Sequence, residues 1–185
     1  MKKLSFFLIS AIVAFNLNAQ SDAEFDTPNA WRLAGNDTMQ KLEWLADYSP
    51  KLKVLKLTIV PNKLWYAEIS PKARIKIADD ENKLNVEFSW KILAKTPDIF
   101  LQSAVRLIDS TGEVFQFPLK GELSSGQWAE IKIHIDKNSK YSSWGGNNNQ
   151  KLDYPVYLAG IIVDGKKYGV DNAVYYLCDF KIVKK

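Results

Sequence analysis

One imidazole, one thiol and a scatter of single carboxylates are all that this sequence offers for covalent or acid–base chemistry. His134 is its only histidine and Cys178 its only cysteine. That excludes an intrachain disulfide and any zinc site built from several His or Cys ligands. On the strand-like stretches the acids Glu87, Glu130, Asp136 and Asp164 stand one at a time, with no Glu-x-Asp pair on one face. Hydrolysis by paired carboxylates needs two of them facing one cleft, and no nucleophile elbow supports a Ser/His/Asp site. These missing roles point away from an enzyme. His134 falls on the outward parity of its strand, where an imidazole can hydrogen-bond a ligand or simply meet solvent.

Aromatic and long polar side chains are more plentiful, with six Trp and eight Tyr. Trp90 shares the parity of Leu84, Val86 and Phe88 and belongs in a core. Trp31 and Trp44 read as packing anchors, and Trp128 as a cover over a sheet end. Trp65 and Tyr66, beside the Pro61-Asn62-Lys63 turn, and Trp144, in a polar loop, are left as rings that a flat ligand face could stack on. Lys91, Gln102, Arg106, Lys132 and His134 all point away from the apolar parity of their strands. Arg106 with Gln102 forms the kind of fork that grips vicinal hydroxyls or a carboxylate. A solvated sheet face has the same pattern, and the sequence leaves both readings open.

The elements that would carry these residues are strands. Alternation with period two runs through 84–92, 101–107 and 131–135, and through 53–60, 64–70, 72–78, 113–120, 156–163 and 174–183. Turn chemistry separates them, notably Asp79-Asp80-Glu81-Asn82, Asp109-Ser110-Thr111-Gly112, Ser124-Ser125-Gly126 and Asp164-Gly165-Lys166-Lys167. The best helical candidate is Thr38–Tyr48, and residues 137–155 form the longest irregular stretch. About nine short strands at this spacing predict an all-β, two-sheet antiparallel β-sandwich.

Composition fits that reading: 185 residues, 46% hydrophobic and 25% charged, describe an ordinary globular chain. Residues 1–19 read as a secretory signal peptide, with Lys2 and Lys3 ahead of an apolar run from Leu4 to Phe15 and a small Ala19 at the end. That run is too short to span a bilayer. Residues 20–185 are then a single domain, secreted or held in the periplasm or cell envelope, with no membrane span after cleavage. Loss of Lys2 and Lys3 takes two charges from the formal +4. What remains gives no compositional case for nucleic-acid binding.

Three stretches carry a resemblance to a known family. They are Glu24-Phe25-Asp26 followed by Trp31, Gln127-Trp128-Ala129-Glu130-Ile131-Lys132-Ile133, and the closing pair formed by Trp144-Gly145-Gly146-Asn147-Asn148 with Tyr154–Ile161 and by Ala173–Phe180. Together they resemble the galactose-binding-like β-jelly roll of carbohydrate-binding modules attached to secreted glycoside hydrolases. Cys178 and Ala173 depart from the family's final strand, which usually has an acid and a glycine there. The resemblance implies a non-catalytic protein that binds a polysaccharide or oligosaccharide, neutral or acidic, for partner glycan-degrading enzymes. Trp65, Tyr66, Lys91, Gln102, Arg106, His134 and Trp144 would be its ligand-binding residues. It also implies a structural Ca²⁺, with Glu24, Asp26 and Asp179 in the matching regions. The rival readings are an envelope sandwich that binds a protein and a small glycan-active enzyme.

Overall fold

The computed structural model describes residues 29–34, 41–49, 52–59, 66–95, 99–123, 126–164 and 173–185. Two antiparallel sheets face each other across one apolar core. The larger has seven strands in the order β1 (Trp31–Leu33), β4 (Tyr66–Pro71), β11 (Val156–Asp164), β7 (Ile99–Ile108), β8 (Glu113–Leu123) and β10 (Ser142–Gly145), with β5 (Lys76–Ala78) also paired to β11. The smaller has five, in the order β2 (Lys41–Ser49), β3 (Leu52–Ile59), β12 (Ala173–Lys184), β6 (Asn85–Ala94) and β9 (Trp128–Asp136). A single 3₁₀ turn, Glu81–Lys83, precedes β6, capped by Asp80, whose carboxylate accepts from the amides of Asn82 and Lys83.

The alternating residues fill the core as their parity requires. Val86, Phe88, Trp90, Ile92 and Ala94 of β6 are buried, as are Val105, Leu107, Phe115 and Phe117 of the facing sheet. Trp31 is buried edge-on against Phe180, with ring centroids 5.0 Å apart. Trp44 packs partly buried on the same core. Both are anchors, as the sequence reading expected.

Two elements differ from that reading. The helix expected over Thr38–Tyr48 is absent from its described part, which is strand β2. Leu42, Leu45 and Tyr48 imitate a helical stripe, but Leu42 and Trp44 pack on the core while Lys41 and Glu43 pair with each other outside it. Pairing along β3 satisfies the backbone and decides the outcome. The stretch 137–155 is also less irregular than expected, because Ser142–Gly145 pairs with β8 as an edge strand. The expected strand at 72–78 shrinks to Lys76–Ala78. Residues 1–19, Glu24, Asp26 and Trp65 lie outside the described residues. No helix among those described is long and apolar enough to cross a membrane.

Candidate functional site

The outer face of the seven-stranded sheet is built in rows. Strand register aligns Trp144 with Val114, Val114 with Ile108, and Ile108 with Tyr157. The result is an apolar row across β10, β8, β7 and β11 with an aromatic ring at each end. Three strand spacings make it about 14 Å long. The next row is polar: Ser142, Gln116, Arg106 and Gly160 are successive cross-strand partners. Beyond it lie Pro118, Ala104, Ile162 and Glu68, again in register.

Arg106 ties these rows together. Its Nε donates to Gln116 Oε1 at 2.9 Å, and one Nη1 hydrogen goes to Glu68 Oε2 in an ion pair. Only 12% of the Arg106 side chain and 18% of the Glu68 side chain remain exposed. The guanidinium carbon lies 4.9 Å from the Trp144 ring centre and 5.5 Å from that of Tyr66. Both distances are within cation–π range. A guanidinium carries five N–H donors, so Arg106 keeps N–H groups for a ligand after serving Gln116 and Glu68.

Gly160 makes this convergence possible. It sits across from Arg106 at a register shift in β11, where the strand carries an extra residue. A Cβ there would lie 2.9 Å from the Ile69 carbonyl oxygen and 3.0 Å from a Glu68 carboxylate oxygen. The missing side chain leaves the gap over which Arg106 reaches from β7 to β4.

Trp144 is 40% exposed and stands beside a loop held from below. Glu113 is fully buried, and its two carboxylate oxygens accept from the amides of Gln150 and Asn149 at 3.2 and 3.1 Å. Asp109, also buried, accepts from the Thr111 and Glu113 amides and from the Thr111 hydroxyl on one oxygen, and from the Asp153 amide on the other. The chain turns through Gly145 and Gly146 at φ 82° and 51°, and a Cβ on Gly146 would collide with the Glu113 backbone. The loop is thus a built support for Trp144.

Tyr66, Arg106 and Trp144 are therefore brought together. Gln102 lies on the same strand as Arg106, paired with Lys120. The polar row expected from parity does not hold together, however. Lys91 and His134 lie in β6 and β9, on the outside of the opposite sheet, as does Lys132. Outward parity says only that a side chain leaves the core, not which sheet it leaves from. Lys91 is ion-paired to Asp179 at 2.6 Å, and that carboxylate raises the ammonium's pKa through hydrogen bonding and charge. His134 is exposed, with Nε2 3.9 Å from Asp136. Glu68, Gln116 and Tyr157 are the residues of the face that sequence reasoning missed.

Of the residues associated with calcium, only Asp179 is among those described. Asp179 sits at φ 55° in a bulge of β12, committed to Lys91, beside the buried Cys178. No group of three or more His, Cys, Asp or Glu side chains among the described residues is arranged to hold a metal ion. An open cleft of about 310 Å³ lies elsewhere, lined by Glu81, Asp136, Lys137, Tyr141, Lys151, Leu152 and Tyr154. Burial and the nearby Glu81 carboxylate push the Tyr154 hydroxyl up to about 12. Asp136 there already accepts from the Asn138 amide and the Ser139 hydroxyl, which hold its pKa below the usual range. It is a committed carboxylate rather than a poised acid.

No protein-family model and no curated protein matches the chain. Solved structures do. The family 11 carbohydrate-binding module of the cellulosomal cellulase Lic26A-Cel5E of Clostridium thermocellum is similar with a TM-score of 0.59 at 11% identity, covering 91% of this chain and 96% of that one. The CBM22-1 xylan-binding domain of Paenibacillus barcinonensis Xyn10C gives 0.52 at 16% identity, covering 88% and 92%. An arabinose-bound GH51 α-L-arabinofuranosidase gives 0.57 at 16% identity over 89% of this chain, which spans 25% of that enzyme's length. The two-sheet jelly roll expected from sequence is thus the fold shared with these modules.

Proposed function

We propose that this chain is an exported, non-catalytic carbohydrate-binding domain that holds a polysaccharide or oligosaccharide on the outer face of its seven-stranded sheet. The observation that carries the reading is the Arg106 guanidinium, held by Gln116 and Glu68 between the rings of Tyr66 and Trp144. A sugar ring offers apolar C–H faces and a rim of hydroxyls. The row from Trp144 to Tyr157 meets the first, and the adjacent Gln116–Arg106 row meets the second. The row's length suits a short run of sugars better than a single ring. Kinship of fold with carbohydrate-binding modules supports the same reading, although a fold by itself does not dictate function.

Affinity electrophoresis of the purified protein against a panel of polysaccharides, with and without calcium, tests the proposal. Retardation by at least one glycan is expected, with Trp144→Ala weakening it roughly tenfold, the scale of one aromatic contact. Failure of every glycan to retard a folded protein would transfer the function to a protein partner. The opposite sheet would then be the surface to examine, where Tyr48 packs on Tyr176 and Trp128 with centroids 4.7 and 6.1 Å away.

A further inference from the structure

The structure assigns Glu68 as a specificity residue that turns this face toward uncharged glycans and against uronates. The inference rests on the binding reading above and goes on to name the ligand class. Arg106 is the guanidinium at the centre of the face, and in isolation it would favour a carboxylate-bearing sugar. It is not isolated. Its charge is matched within the fold by the Glu68 carboxylate, and both side chains are mostly covered. A uronate brought onto Arg106 would place a second carboxylate beside that of Glu68, with little solvent to screen them, and like charges at this range repel. A hydroxyl brings no charge and can use the guanidinium N–H groups that Gln116 and Glu68 leave unoccupied.

Of the other cations among the described residues, four lysines face away from this site, whereas Arg32, by its pairing with Ser70, and Arg74, at Tyr157, share its sheet face. Lys91, Lys132, Lys56 and Lys41 lie on the opposite sheet, each paired with Asp179, Glu130 or Glu43. Arg74 stacks on Tyr157 with its guanidinium carbon 3.7 Å from the ring centre, at the far end of the apolar row. The network also fixes geometry. Because Gly160 leaves the space open, Glu68 holds the Arg106 plane between the two rings. Glu68 is thus a positioning and selecting residue that works through Arg106.

Calorimetric titration in about 0.15 M salt, which screens the surface lysines, tests this with xylo- and mixed-linkage gluco-oligosaccharides as neutral probes and oligogalacturonate as the acidic one. The parent protein is expected to bind a neutral probe and to bind oligogalacturonate at least tenfold more weakly. Glu68→Gln keeps a hydrogen-bond acceptor for Arg106 and removes the charge. It should raise the ratio of oligogalacturonate to neutral affinity at least tenfold. Adding Arg106→Ala to that variant should abolish the gain. A parent protein that prefers oligogalacturonate overturns the inference and leaves the binding reading standing, as does a folded Glu68→Gln with unchanged discrimination. Should Glu68→Gln not fold, the parent's preference alone decides. A parent that binds none of the probes, and is retarded by no polysaccharide, overturns both.

Discussion

The two outer faces of this sandwich draw on the same residue types and use them differently. On the five-stranded sheet, the charges form short-range pairs among exposed side chains. Lys91 with Asp179 and Lys132 with Glu130 leave between 41% and 55% of each side chain in solvent. Lys41 and Lys56 share Glu43, and Lys185 reaches Glu87. On the seven-stranded sheet the central cation is 12% exposed, has two side-chain partners from two other strands and lies between two rings. Exposed pairs can rearrange at little cost. A group that is covered, hydrogen-bonded and flanked by rings has a fixed direction in which to present its remaining donors, and such preorganisation favours binding. Polarity is common to both faces, and only one of them gathers it around a covered, ring-flanked cation.

The comparison is broken most forcefully at Gly160. A methyl group there must displace the Ile69 carbonyl, 2.9 Å from the added carbon, or the Glu68 carboxylate, 3.0 Å away. Overpacking of this kind costs about 1–3 kcal/mol. For a domain of this size that is a fall of roughly 2–12 °C in Tm. Gly160→Ala should show that loss in a thermal scan and should also weaken glycan binding, because Glu68 and Arg106 can no longer meet across the gap. Unchanged stability would mean that the bulge in β11 absorbs the methyl group, and that the space over Gly160 is not what joins the two strands.

Much of the fold was legible because period-two alternation is a local signal. Val86, Phe88 and Trp90 went into the core as their spacing required. Lys41–Ser49 misled because its apolar residues also fit a helical stripe, and only pairing with β3 settles the choice. Ser142–Gly145 went unseen because Ser-Ser-Trp-Gly alternates nothing that differs strongly in hydropathy. For the site, Tyr66, Arg106 and Trp144 could be named one by one, but their meeting could not. β4 and β7 are brought near each other only by β11, which comes much later in the chain. The same long-range order separates Lys91 and His134 from Arg106. Glu68 and Gln116 were hidden for this reason, since neither is unusual until its neighbour across the sheet is known. One local clue did exist. A lone glycine inside an apolar strand marks a bulge or a close approach, and Gly160 is both.

A smaller effect is expected on the other face, where Glu43 accepts from Lys41 and Lys56. Those hydrogen bonds hold its carboxyl below the ordinary glutamate value of 4.5. Stability from a depressed carboxylate is present above the unfolded-state pKa and is lost as pH falls through the folded one. Glu43→Gln should therefore cost about 0.5 kcal/mol at neutral pH, discounted for its exposure. The difference from the parent should shrink as pH drops below 4.5. Urea melts at pH 7 and pH 3 would show it. A difference that persisted undiminished at pH 3 would show that Glu43 contributes by packing rather than by charge.

The smallest effect sharpens the contrast most. Lys91 has the shortest of the exposed ion pairs among the described residues, 2.6 Å to Asp179, yet half of its side chain is in solvent. Short distance alone makes it look like the counterpart of the Arg106–Glu68 pair. Exposed pairs of this kind contribute about 0–1 kcal/mol, and among the described residues no ring or second partner side chain directs the ammonium at a ligand. Lys91→Ala should leave Tm within about 4 °C of the parent and glycan retardation unchanged. If that substitution cost as much binding as Arg106→Ala, the covered, ring-flanked cation would not be what distinguishes the two faces, and the site would have to extend across both sheets.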